Sequence, residues 1–355
     1  MTKFILSIDG GGIRGIIPAT VLTVLVKKLA RRGKTLPLYR YFHLVAGTST
    51  GAIIAAGLTC PKPGKPAEPA ADPQTLLNLY RSKGREIFDR GLHIPVIGGY
   101  LDHLYDAAPL EAILKGMLGT RTEIKDALAK VVVTAYDIEA RRAMFLSNVD
   151  QKHERFLFWQ AVRGSSAAPT YFEPAMVDDL SEPGRSRRRK VPLIDGGVFA
   201  NDPSMAAYVE GCKLGWANDM TMLSLGTGSS MHPIPYEKAK GWGKLGWIAD
   251  DGGSPIISVL MQGQSSTASY QVDRLLNRAE EAYAAGATNV TPDNRSKLNY
   301  FRLDARLEKN KKPSDALDDV TPANIEALEK FGRKIAKQHD LALEEIAERL
   351  QPVSD

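Results

Sequence analysis

Two glycine-bracketed turns lie within the first 51 residues of this 355-residue chain. Asp9-Gly10-Gly11-Gly12-Ile13-Arg14-Gly15 follows an apolar stretch, 3–8, and leads into another, 16–29. Gly47-Thr48-Ser49-Thr50-Gly51 follows the short apolar run 41–46 and leads into the small-residue stretch 52–58. Each therefore reads as strand, turn, helix, and two such units in succession predict an α/β fold with a mostly parallel central sheet sandwiched by helices, in three layers. Later segments continue the alternation: strands over 130–136, 142–147, 220–225 and 298–303, and helices over 154–162 and 254–284. A closing amphipathic helix is expected over 322–350, with Ile325, Leu328, Phe331, Ile335, Leu343, Ile346 and Leu350 at helical spacing and one gap. Five prolines over 61–73 predict an irregular surface loop. The chain shows no internal repeat.

The second turn has the G-x-S-x-G form that strains a serine at a strand-to-helix corner and needs small flanking residues, Gly47 and Gly51. Ser49 would sit at a helix N-terminus, where free N–H groups and the dipole favour developing negative charge. The first turn admits other readings. As a dinucleotide fingerprint, Gly10 to Gly15 wants an acidic residue about 20 positions on; the next carboxylate after Asp9 is Glu68, and only Arg31 and Arg32 leave a slim reading for a phosphorylated dinucleotide. Gly33-Lys34-Thr35 resembles the end of a phosphate-binding loop, but Lys28 occupies the position of its first glycine. What remains is a loop whose N–H groups face a developing oxyanion, each such donor commonly lowering an acyl-transfer barrier by roughly 3–4 kcal/mol. Arg14 would orient that loop or meet an anionic head group.

A serine nucleophile needs a base. None of the six histidines, His43, His93, His103, His153, His232 and His339, lies in a catalytic local setting. Asp195 is the better candidate, at the end of the apolar run Leu193-Ile194 and against Gly196 and Gly197, which let another backbone approach closely. Asp9, Asp137 and Asp202 are alternative carboxylates, with Asp9 and Asp202 expected to hold turns. An ordinary carboxylate is a weak base for a hydroxyl, so burial must raise Asp195 for this chemistry.

With these residues in place the chain resembles the patatin-like phospholipases, bacterial type. Four segments match in order: Ile8 to Gly15 with the following Ile-Ile-Pro, Gly47 to Gly51, Ser165-Ser166-Ala167-Ala168-Pro169-Thr170-Tyr171-Phe172, and Asp195 to Pro203. Leu223-Ser224-Leu225-Gly226-Thr227-Gly228 is similar to a further family segment, and Ala52 departs from the glycine more common in plant patatins. The resemblance implies a serine acyl hydrolase of phospholipase A type with Ser49 as nucleophile, Asp195 as base and Gly10, Gly11 and Gly12 as oxyanion donors, and no metal or cofactor. It also implies a phospholipid membrane surface as partner, met peripherally. Two other functions fit it: a hydrolase of soluble lipid esters, and an antiphage effector that a cyclic nucleotide activates, as in some bacterial relatives.

Composition sets the frame. At 43% hydrophobic and 25% charged, the chain can bury a full core as one catalytic domain, 1–305, with a C-terminal amphipathic helix, 306–355, packed on it. Cys60 and Cys212 are expected as two buried thiols. No signal-peptide pattern and no apolar stretch of about 18 residues is present, so the expected location is cytoplasmic, peripheral at the inner membrane. The net charge of +5 fits an anionic interface; with no recognition motif beside it, it does not support nucleic-acid binding. Three segments invite a surface role: the basic loop 185–190, the tryptophan- and lysine-rich run 236–247 as an interfacial lid, and the loop 88–105 near the active-site mouth.

Overall fold

The computed structural model describes residues 2–89, 104–181, 189–230, 233–248, 255–277, 290–308 and 311–353. Its strands are β1 (Lys3–Ile8), β2 (Leu44–Thr48), β3 (Pro61–Lys62), β4 (Lys65–Pro69), β5 (Lys130–Asp137), β6 (Arg142–Ser147), β7 (Ala175–Asp179), β8 (Arg189–Asp195), β9 (Met220–Leu225), β10 (Ser229–Ser230), β11 (Tyr300–Leu303) and β12 (Arg306–Leu307). Its helices are α1 (Ile16–Arg31), α2 (Thr50–Thr59), α3 (Pro73–Ile87), α4 (Ala108–Leu118), α5 (Phe158–Ser165), α6 (Gly197–Ala200), α7 (Ser204–Lys213), α8 (Tyr236–Ala239), α9 (Lys244–Ile248), α10 (Pro255–Leu276), α11 (Pro322–Gln338) and α12 (Asp340–Arg349).

Eight strands form the central sheet in the order β11-β9-β1-β2-β5-β8-β7, with β6 also on β5. The run from β11 to β5 is parallel; β6, β7 and β8 pair antiparallel. Buried on both faces, the parallel strands read as continuous apolar runs such as Val131-Val132-Val133. Phe4, Leu6, Ile8, Val131 and Val133 belong to one core cluster, which includes residues of α1, α2 and α5. Ile5, Ala46, Val132 and Met222 belong to the other, completed by Ala207 of α7 and Val272 of α10. The strand period of two thus divides the side chains between two helical layers, giving the expected sandwich.

Several elements differ in detail from the sequence expectation. The proline-rich stretch is not irregular, because β3 and β4 pair as a small hairpin around Gly64, at φ +80°. Asp72 then caps α3 by accepting the Thr75 N–H at 2.7 Å, with Pro73 at the first helical position. The single C-terminal helix is two helices, broken at His339, where the apolar spacing has its gap. Both pack on α1, and Lys28 pairs with Asp340 and Glu344. Lys34 donates to the Ala347 and Glu348 carbonyls at 2.9 and 2.8 Å, satisfying orphan groups at the end of α12. The run 236–247 carries the short helices α8 and α9. Of the basic run, Arg189 and Lys190 open β8, and 185–188 lie outside the described residues, as do 90–103 of the loop 88–105. Among the described residues no helix is long and apolar enough to cross a membrane.

Candidate active site

Ser49 stands between β2 and α2 with φ 55° and ψ −121°, a conformation that costs a non-glycine residue on the order of 1–3 kcal/mol. The neighbours enforce it. A Cβ on Gly47 would lie 2.2 Å from the Gly51 carbonyl oxygen, and one on Gly51 would lie 2.1 Å from that of Ile8, so neither flank can carry a side chain. The Ser49 N–H donates to Ser165 Oγ at 2.8 Å, which leaves the strained peptide satisfied.

Strand register brings Asp195 to this serine. β6 occupies one edge of β5 over Val132 to Asp137, so β2 and β8 share the other. They run in opposite directions and meet end to end: Thr48 is level with Thr134, and Asp195 with the next residue, Ala135. The Asp195 carboxylate accepts the Gly197 N–H at 2.6 Å and lines the same cavity as Ser49, whose hydroxyl acts on it as a donor that favours the charged form. Burial pushes its pKa up to about 7 against the opposing pull of those two donors. The Asp195 N–H donates to Ala167 O at 3.0 Å. The turn 165–167 thus braces both partners, holding Ser49 through Ser165 and Asp195 through Ala167.

The glycine loop departs from expectation at one position. Gly10 N–H is given to Asn201 O at 3.0 Å, so Gly10 is not an oxyanion donor. Thr227 Oγ1 donates to Gly10 O at 2.6 Å, and Arg14 Nε donates to Gly11 O at 3.3 Å. In a trans peptide the N–H points opposite the carbonyl, so these two bonds turn the Gly11 and Gly12 N–H groups to the other side. Both glycines line the cavity above Ser49, and neither N–H has an acceptor among the described residues. Gly12 is at φ +58°, which favours glycine. Arg14 is buried and holds the loop, its Nη1 on Gly228 O at 3.1 Å, and it does not line the cavity.

The alternative carboxylates are placed elsewhere. Asp137 and Asp202 accept backbone N–H groups in turns. Asp9 binds the Arg302 guanidinium through both oxygens, at 2.8 and 2.6 Å, instead of holding a turn. His43 lies at the opposite end of β2, accepting the Phe4 N–H on Nδ1, and burial lowers its pKa to about 4. His153 and His339 do not line the Ser49 cavity, and His93, His103 and His232 lie outside the described residues. The cavity is walled by apolar side chains, among them Ile53, Ile87, Phe88, Leu110 and Phe172. Its polar groups include Ser49, Asp195 and Ser166, the last a buried hydroxyl without a hydrogen-bond partner among the described residues. Val198 and Leu260 line it as well and are 36% and 55% exposed, so the apolar lining continues to the surface.

Such an arrangement can attack an ester carbonyl, take up the serine proton and receive a negative oxygen. Sequence reasoning missed Ser165, Thr227 and Asn201 as its supports, although all three fall within segments already singled out for resemblance. Comparison with known proteins shows the family. The family model described as patatin-like phospholipase matches residues 6–208. Patatin-like protein 2 of Arabidopsis thaliana is 29% identical over 94% of this chain and 83% of its own length. Patatin-like protein 1 of Oryza sativa subsp. indica is 32% identical over 74% and 67%, and Patatin-2-Kuras 3 of Solanum tuberosum 28% over 94% and 83%. The crystal structure of VipD from Legionella pneumophila aligns over 94% of this chain and 67% of that one, at TM-score 0.36 and 12% identity, a likeness too remote to argue from.

Proposed function

The chain belongs to the patatin-like phospholipase family of lipid acyl hydrolases, and from that premise we propose a phospholipase A type enzyme that cleaves fatty-acyl esters of membrane phospholipids through a Ser49–Asp195 dyad. The observation that carries the reading is the meeting of β2 and β8 on one edge of β5, which puts the strained Ser49 and a buried carboxylate, its pKa pushed up to about 7, on one cavity. Ser49 Oγ attacks the ester carbonyl as its proton passes to Asp195, and the Gly11 and Gly12 N–H groups receive the oxyanion. Collapse expels the lysolipid alkoxide, which takes the proton from Asp195, leaving an acyl-serine. Water, deprotonated by Asp195, then releases the fatty acid and restores the serine. The apolar walls suit an acyl chain, each buried methylene contributing about 0.8 kcal/mol.

The partner in this reading is a phospholipid bilayer met peripherally. Leu245, Ile248 and Val259 are 64%, 56% and 44% exposed on α9 and α10, which pack on each other beside the Leu260 rim of the cavity. Trp242 and Trp247 lie in the same segment, a residue type that favours the membrane–water boundary. The test is fatty-acid release from phosphatidylcholine vesicles, with and without anionic lipid. Wild type should release it, and Ser49→Ala or Asp195→Ala should lose nearly all of that activity while staying folded. Release by Asp195→Ala at the wild-type rate would sink the dyad. Release only with an added cyclic nucleotide would favour the gated effector, and cleavage of dispersed esters alone the soluble-ester hydrolase.

A further inference from the structure

Arg302 lies on β11, beyond the residues the family model matches, and its side chain is 11% exposed. Its guanidinium meets three carboxylates: Asp9 through both oxygens, Asp202 at 3.4 Å and Asp304 at 3.4 Å. It also donates to Ser224 Oγ at 2.9 Å. Each of the three carboxylates adjoins the glycine loop or bonds a group that fixes it. Asp9 is the residue before Gly10. Asp202 follows Asn201, whose carbonyl takes the Gly10 N–H at 3.0 Å. Asp304 accepts the Gly228 N–H at 2.9 Å, and the Gly228 carbonyl takes the Arg14 side chain that in turn holds Gly11 O.

We propose that Arg302 is a positioning residue for acyl transfer: one guanidinium ties the turn after β1 to the segment after β8 and, through Asp304, to the turn after β9, and so fixes the Gly11 and Gly12 N–H donors relative to Ser49. The inference rests on the hydrolase reading above. A planar fork with five N–H donors can serve these acceptors at once, whereas an ammonium offers a single point charge without the fork. Loss of the fork leaves Asp9, Asp202 and Asp304 facing each other and frees the loop, and a misplaced oxyanion donor acts on the transition state more than on substrate binding.

The experiment compares wild type, Arg302→Lys, Arg302→Met and Ser49→Ala in hydrolysis of a dispersed short-chain ester, with kcat taken per folded molecule. Arg302→Lys should lower kcat by about tenfold or more while KM stays within about threefold. Arg302→Met should do the same or more, and if it fails to fold, the lysine variant decides. A lysine variant with wild-type kcat and only a lower melting temperature would make Arg302 merely structural and overturn the proposal. A wild type no more active than Ser49→Ala would instead overturn the hydrolase reading, and the clamp's role in turnover with it.

Discussion

A carboxylate that takes a proton from a serine must be charged while buried, and Asp195 is placed for this conflict. Its pKa is raised from 3.8 to about 7 by burial. As a base it acts ionised, so kcat/KM should fall about tenfold per pH unit below about pH 7, with a plateau above, measured as a pH–rate profile. Stability runs the other way. The folded protein holds this proton more tightly than the unfolded chain, so the contribution of Asp195 is fully present below about pH 4 and is lost as pH rises through about 7. Above that, the buried charge costs on the order of 4 kcal/mol. Asp195→Asn should therefore abolish activity yet resist denaturant better than wild type at pH 8, with little difference at pH 4; a less stable variant at pH 8 would count against the raised pKa. Ser49, Asp195, Gly11 and Gly12 could be singled out in the sequence because each stands in a short local pattern, which did not show that Gly10 gives its N–H to Asn201. Ser165, Thr227 and Arg302 were not, since their partners in the site lie more than 100 residues away along the chain.

At the scale of elements, the site depends on two strand ends that meet on one edge of β5. The sequence shows both strands but not the antiparallel direction of β8, which nothing local encodes and which alone brings Asp195 level with Ala135. The corner beneath Ser49 is as demanding. Gly51→Ala would drive a methyl to 2.1 Å from the Ile8 carbonyl oxygen, a backbone atom that cannot turn aside. The variant should lose more than about 1–3 kcal/mol of stability by denaturant titration, and most of its activity with it. Wild-type stability would mean the corner is looser than described. The helix break at His339 was half legible, as a gap in the apolar spacing. The role of Lys34 was hidden because its acceptors are carbonyls at the far end of the chain.

Across the whole molecule, the two helical layers enclose the sheet, and one cavity carries the apolar interior out to the surface at Val198 and Leu260. The alternation of strands and helices announced this architecture, while the surface around the mouth could be read only as composition. Charging that surface should separate docking from chemistry. Leu245→Asp with Val259→Asp should reduce co-sedimentation with anionic vesicles at least about fivefold, since burying each leucine- or valine-sized side chain is worth roughly 1.5–3 kcal/mol. Hydrolysis of a dispersed short-chain ester should stay within about twofold of wild type; equal vesicle binding would exclude this face. The central claim is that Ser49 is the nucleophile. Its most direct test is reaction with a fluorophosphonate followed by peptide mapping. The account predicts one adduct, on Ser49, absent in Ser49→Ala and formed far more slowly in Asp195→Asn. An adduct on Ser166 or elsewhere, or undiminished labelling of Ser49→Ala, would contradict it.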